Sequence, residues 1–130
     1  MIKQMAIASV VAFALVSGSA FAAHHMSAVT KKASTASGEI LTDVKGMSLY
    51  TFDKDAAGKS NCNGKCAVAW PPLNAEGMAK GEGDFSVIKR QDGSKQWAYK
   101  GKPLYTWIKD KKPGDVTGDG VKDVWHLARP

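Results

Sequence analysis

Gly46-Met47-Ser48-Leu49-Tyr50-Thr51-Phe52-Asp53-Lys54-Asp55 returns fifty-five positions later as Gly101-Lys102-Pro103-Leu104-Tyr105-Thr106-Trp107-Ile108-Lys109-Asp110. The same offset carries Gly38 onto Gly93 and Trp70 onto Trp125, so residues 38–70 and 93–125 read as one segment written twice, without a gap. A repeat of this length is a supersecondary unit too small to bury its apolar face alone, and two copies are expected to pack into one domain. The expectation is a mainly β, small single domain at 38–130, built from two hairpin-containing repeats at about 38–73 and 93–130.

Outward from that stretch, β-prone residues separated by Gly, Asp, Asn and Pro predict strands at Glu39–Val44, Ser48–Phe52, Phe85–Arg90, Gln96–Tyr99, Leu104–Trp107 and Val121–Leu127. Lys45-Gly46 and Lys100-Gly101 fall between paired strands, where Gly supplies the positive φ of a tight hairpin turn. Within the repeat Leu49 and Thr51 face one side while Tyr50 and Phe52 face the other, and Leu104, Thr106, Tyr105 and Trp107 repeat the split. Both faces carry apolar mass, so the aromatic residues are read as core rather than as a sugar- or base-binding platform.

The amino-terminal residues carry an export signal. Lys3 precedes an apolar run from about Met5 to Val16, too short for a membrane span, and Ala20-Phe21-Ala22 provides the small residues of a cleavage site. Residues 1–22 are expected to be removed, giving a periplasmic or secreted chain with no transmembrane segment. Residues 26–37 are small and polar without either hydrophobic period, so 23–37 reads as a flexible tail between the cleavage site and the domain.

All the acids and all but one of the basic residues lie beyond the cut, so a formal charge of +6 in the precursor becomes +5 in the mature chain. Spread rather than clustered, that charge suits anionic envelope components as partners. Nucleic acid is disfavoured, since no basic helical stripe or nucleic-acid motif accompanies it.

Cys62 and Cys66 enclose Asn63-Gly64-Lys65, and in an oxidising compartment such a pair is expected to form a disulfide. It would pin a turn or short helix running into Ala67-Val68-Ala69-Trp70, which Pro71-Pro72 ends. A thiol redox site or a metal site competes with this reading, although the spacing is CxxxC and no His follows Cys66. In the second copy the loop becomes Asp115-Val116-Thr117-Gly118-Asp119-Gly120-Val121-Lys122-Asp123. Asp115, Thr117, Asp119 and Gly120 match the opening of a calcium loop, but Lys122 and His126 stand where an apolar residue and a bidentate carboxylate are required. The expectation is a Gly and Asp turn, without calcium.

With Tyr50, Phe52, Asp55 and Tyr105, Trp107, Asp110, the pattern Y-x-[FWY]-x-x-D stands twice in the chain. Around it lie Cys62-x-x-x-Cys66-Ala67 leading to Trp70-Pro71-Pro72-Leu73, and Lys112-Pro113-Gly114-Asp115 leading to Val124-Trp125-His126. On these residues the chain resembles bacterial predicted lipoproteins described as secreted repeats, over nearly all of 38–130. The resemblance implies no reaction, because that family is of unknown function. The chain departs from the family name in having no Cys near the cleavage site, Cys62 being the first, so an exported chain without a lipid anchor is expected. Asp55 and Asp110 follow the strand-ending aromatic by three residues, where a carboxylate can accept from turn amides, and Tyr50 and Tyr105 are expected to bury their rings and bond through their hydroxyls.

No hydrolase or nucleotide-binding motif is present, and His126 is the one His within residues 38–130, so no catalytic residue is assigned and a non-catalytic module is favoured. A second class of function lies at the new terminus. Cleavage after Ala22 leaves Ala23-His24-His25, whose amine, two backbone nitrogens and third-position imidazole form the square-planar set preferred by Cu(II) or Ni(II). A third class, a thiol-disulfide redox protein, would act through Cys62 and Cys66.

Overall fold

The computed structural model describes residues 29–77 and 79–130. In chain order the elements are β1 Lys31–Thr35, β2 Gly38–Thr42, β3 Tyr50–Phe52, a short helix α1 Lys65–Ala69, β4 Phe85–Lys89, β5 Lys95–Tyr99, β6 Lys102–Pro103, a 3-10 turn Val121–Asp123 and β7 Trp125–Leu127. β1 pairs with β2, β3 with β7, and β4 with β5 and β6, all antiparallel.

The two copies meet on a pseudo-twofold axis between Tyr50 and Tyr105. Each of these equivalent residues donates its amide to the other's carbonyl, at 2.8 and 3.0 Å. Away from the axis the bonds recur in pairs. Asp53 N–H reaches Val124 O at 2.8 Å as Ile108 N–H reaches Ala69 O at 3.0 Å, and Ala128 N–H reaches Leu49 O at 2.8 Å as Leu73 N–H reaches Leu104 O at 2.9 Å.

Alternation along these segments divides the core in two, as the sequence predicts. Ile40, Tyr50, Cys62, Trp70, Tyr105, Trp125 and Leu127 are buried on one face, with Phe52 and Trp107 against them; Leu41, Leu49, Leu104 and Ala128 are buried on the other. A buried apolar side chain of this size stabilises the fold by about 1.5–3 kcal/mol.

Four sequence expectations change. Residues 31–35, assigned to the flexible tail, form β1: Ala33 packs on the core and the backbone pairs with β2, while Thr35 Oγ1 donates to Gly38 O at 2.7 Å across the turn. The predicted strand Leu104–Trp107 is not continuous. The ladder is at Lys102–Pro103, and beyond it Tyr105 bridges Tyr50 and Pro72 singly. Val121–Leu127 is strand only from Trp125, because Lys122 and Asp123 take φ of 53° and 60°, which strand pairing does not allow.

The gap-free repeat also conceals two compensating changes of turn length. Leu49 N–H bonds Leu41 O, whereas Leu104 N–H bonds Trp97 O, so β2 and β5 correspond at an offset one residue longer than the rest. The extra residue enters at the loop closed by Arg90 and Ser94 and leaves at Lys100-Gly101, a two-residue turn with φ of 50° and 83° where the first copy has three residues between Asp43 and Met47. A one-residue slip exchanges the faces of a strand. With the shift, Leu41 corresponds to Trp97 and both contribute to the same core.

Candidate functional site

The motif residues come first. Tyr50 and Tyr105 are fully buried, and each hydroxyl crosses to the other copy: Tyr50 donates to Asp110 Oδ2 and Tyr105 to Asp55 Oδ2, both at 2.7 Å. The second carboxylate oxygen takes a turn amide, Asn61 N–H for Asp55 at 2.6 Å and Thr117 N–H for Asp110 at 2.9 Å, as the capping expectation requires. Thr117 Oγ1 also donates to Asp110 at 2.6 Å.

The surroundings differ between the copies. Tyr50 Oη accepts from Gly118 N–H at 3.1 Å, while Tyr105 Oη lies 2.6 Å from Ser60 Oγ. Ser60 in turn accepts from the buried Arg90 guanidinium, which also donates to Gln96 Oε1 at 2.8 Å and Cys62 O at 2.6 Å. Burial raises the Asp55 carboxyl above its ordinary range, against the pull of Asn61 N–H, Tyr105 and Arg90. Burial raises both tyrosine hydroxyls as well, aided by the carboxylate each one meets. This Arg90, Ser60 and Gln96 network was not legible in the sequence, since its members sit thirty and more residues apart in places and carry no common spacing.

Against the tyrosines lies a column of four rings. Phe52 stacks on Trp125 at 4.2 Å between centroids, Trp125 on Trp70 at 3.8 Å, and Trp70 on Trp107 at 3.9 Å. The column is palindromic under the pseudo-twofold, and Tyr50 and Tyr105 meet Trp70 and Trp125 edge-on at 5.3 and 5.2 Å. Every motif aromatic is therefore part of the core, with Phe52 and Trp107 half-buried at its ends.

Cys62 and Cys66 form a disulfide across a Cα separation of 5.2 Å, at the start of α1, with Cys62 fully buried. The residues of the calcium-like loop turn inward on the chain. Asp115 accepts from Lys111 and Lys112 amides and from Lys112 Nζ, and Asp119 accepts Leu127 N–H at 3.1 Å. Ala23, His24 and His25 lie outside the described residues. No helix among the described residues is long and apolar enough to cross a membrane.

Ionisable side chains from distant parts of the chain meet at the surface beside β3 and β7. Their register sets Thr51 opposite His126, and the His126 ring nitrogen Nε2 lies 2.7 Å from Asp53 Oδ2, both side chains about half exposed. This pair edges a cleft of about 280 Å³ that is also lined by Tyr99, Lys100, Lys102 and Arg129. A second cleft of about 250 Å³ shares Thr51, Asp53, Lys100 and Lys102 with it and continues towards Asp55 and Ala56. Sequence reading singled out none of Asp53, Lys100 as a side chain, Lys102 or Arg129, because hairpin turn and chain terminus are brought together only by the fold.

A family model described as a secreted repeat of unknown function matches the chain at residues 31–74 and 86–129. No curated protein and no solved structure matched it. The two matched segments coincide with the two halves that exchange their Tyr and Asp contacts, and β1 opens the first of them, so the chain belongs to this secreted-repeat family.

Proposed function

We propose that the chain is an exported, non-catalytic two-repeat module that binds anionic components of the cell envelope. The observation that carries this reading is the commitment of the motif's polar atoms to internal bonds. Both tyrosine hydroxyls and both partner carboxylates hold the two copies together, so function falls to the surface, and that surface is basic, the mature chain carrying a formal charge of +5. A periplasmic or secreted location fits the family's description as a secreted repeat.

Co-sedimentation of the mature chain with envelope fragments tests the reading. Binding at low ionic strength that is released near 1 M salt is expected, because the Debye length there falls to about 3 Å. A chain left in the supernatant at every salt concentration overturns it.

A second reading, copper or nickel binding, is favoured by the Ala23-His24-His25 terminus. Native mass spectrometry of the mature chain tests it: one tightly held Cu(II), lost on deletion of residues 23–25, supports it, and an unliganded mass in the presence of copper removes it.

A further inference from the structure

The cleft beside β3 and β7 breaks the symmetry of the fold. In the other copy Asp53 corresponds to Ile108, His126 to Pro71 and Lys102 to Met47. Lys100 has a counterpart in Lys45, but Asp53, His126 and Lys102 have none that is charged, so they are not needed to build an architecture that both copies share.

Arg129 donates to Ser37 O at 2.7 Å and so has a structural part, but the other charged groups are costly or idle as structural elements. The Asp53–His126 pair is exposed, and exposed pairs add little stability. Lys100 holds φ at 50°, a conformation in which Gly or Asn is preferred, and its Nζ stands 5.2 Å from the centre of the Tyr99 ring.

Charge and shape together restrict the ligand. Lys100, Lys102 and Arg129 set three cations against the single carboxylate of Asp53. A bare oxyanion would be attracted by the first group and repelled by the last. A sugar ring bearing an oxyanion uses both, with hydroxyls donating to Asp53 and a carboxylate or phosphate meeting the lysines. We propose that this cleft binds an anionic saccharide unit, a sugar carrying a carboxylate or phosphate, of the kind found in envelope polymers. The assignment rests on the envelope-binding reading and names its site.

The test is amide chemical-shift titration of the mature chain with glucuronate and with glucose 1-phosphate, alongside glucose and inorganic phosphate. Both acidic sugars are expected to shift Thr51, Lys100–Lys102 and His126 saturably, with glucose and phosphate at least tenfold weaker. Lys102→Glu is expected to weaken acidic-sugar binding at least tenfold with a native spectrum. Lys45→Glu, on the equivalent hairpin turn of the other copy, is expected to leave it unchanged.

Phosphate as effective as the sugars, glucose as effective as the acidic sugars, or equal losses from K102E and K45E would each overturn the assignment. No shift with either acidic sugar, while envelope fragments still sediment the chain, would overturn this site and leave the broader reading standing; failure of both removes both.

Discussion

Tyr50 donates its hydroxyl to Asp110 at 2.7 Å, across sixty residues and from one repeat into the other. The Asp of its own motif, Asp55, serves Tyr105 instead. A double-mutant cycle reads this exchange directly. Y50F with D110N is expected to show a coupling energy of about 1–3 kcal/mol, as for a buried bond to a charged group. Y50F with D55N should be additive within about 0.5 kcal/mol. Urea denaturation of the single and double variants checks both, and coupling within one motif would contradict the geometry.

The aromatic column leaves no room beside Gly118. A Cβ there would stand 2.8 Å from Trp70 Cη2 and 3.0 Å from Trp107 Cγ, both in stacked rings that cannot swing away. Gly118→Ala is expected to destabilise the domain by about 1–3 kcal/mol, the range for overpacking. The midpoint of urea unfolding measures it, and the near-ultraviolet circular dichroism of the tryptophans should change with it.

Alkaline pH should unfold the domain through Tyr50 and Tyr105. Burial raises both hydroxyls above their ordinary value of 10.0, so their contribution is fully present below that pH. It is lost as pH climbs from there through the raised folded values, because the unfolded chain ionises first. Each tyrosine accounts for a slope of up to about 1.4 kcal/mol per pH unit. Stability measured by denaturant between pH 9 and 12 should fall accordingly, and Y50F or Y105F should each reduce the slope.

Lys122 lies at φ 53° just before β7, in a conformation that L-residues other than Asn and Asp adopt reluctantly. Lys122→Asn is expected to stabilise the domain by about 0.5–1 kcal/mol by relieving that strain. Thermal unfolding of the variant provides the check.

Replacing both Cys62 and Cys66 by Ser should cost at least about 2 kcal/mol, the entropy of a five-residue closed loop, to which the hydroxyl buried at position 62 adds. The amide spectrum should change around α1 and leave the Tyr50–Tyr105 axis in place.

Much of the fold is legible in the residues. Period-two alternation separates Leu49 and Leu104 from Tyr50 and Tyr105, and the fold buries them in the two cores that separation implies. β1 was not legible, because Lys31-Lys32-Ala33-Ser34-Thr35 offers little apolar alternation and becomes strand by pairing with β2. The turn at Val121–Asp123 was hidden for a related reason. Local preference there favours a strand, but Gly120 N–H bonds Trp125 O at 2.7 Å and folds the chain back on itself ahead of β7. Of the surface cleft, the sequence marks His126 as a candidate side chain and Lys100 only as part of a turn.

By itself, then, the sequence determined that there are two copies, which side each Leu and Tyr faces, that the Cys62–Cys66 loop leads into a turn or short helix, and that the motif carboxylates are placed to receive turn amides. Those properties are local, set by spacing, side-chain type and steric limits within a few residues. Tertiary structure alone decided that each tyrosine bonds the carboxylate of the opposite copy, that the turns compensate in length, and that Lys102, Asp53, His126 and Arg129 share one cleft. These depend on residues brought together from distant parts of the chain, and packing around the Trp70–Trp125 stack selects among partners that are chemically equivalent in the sequence.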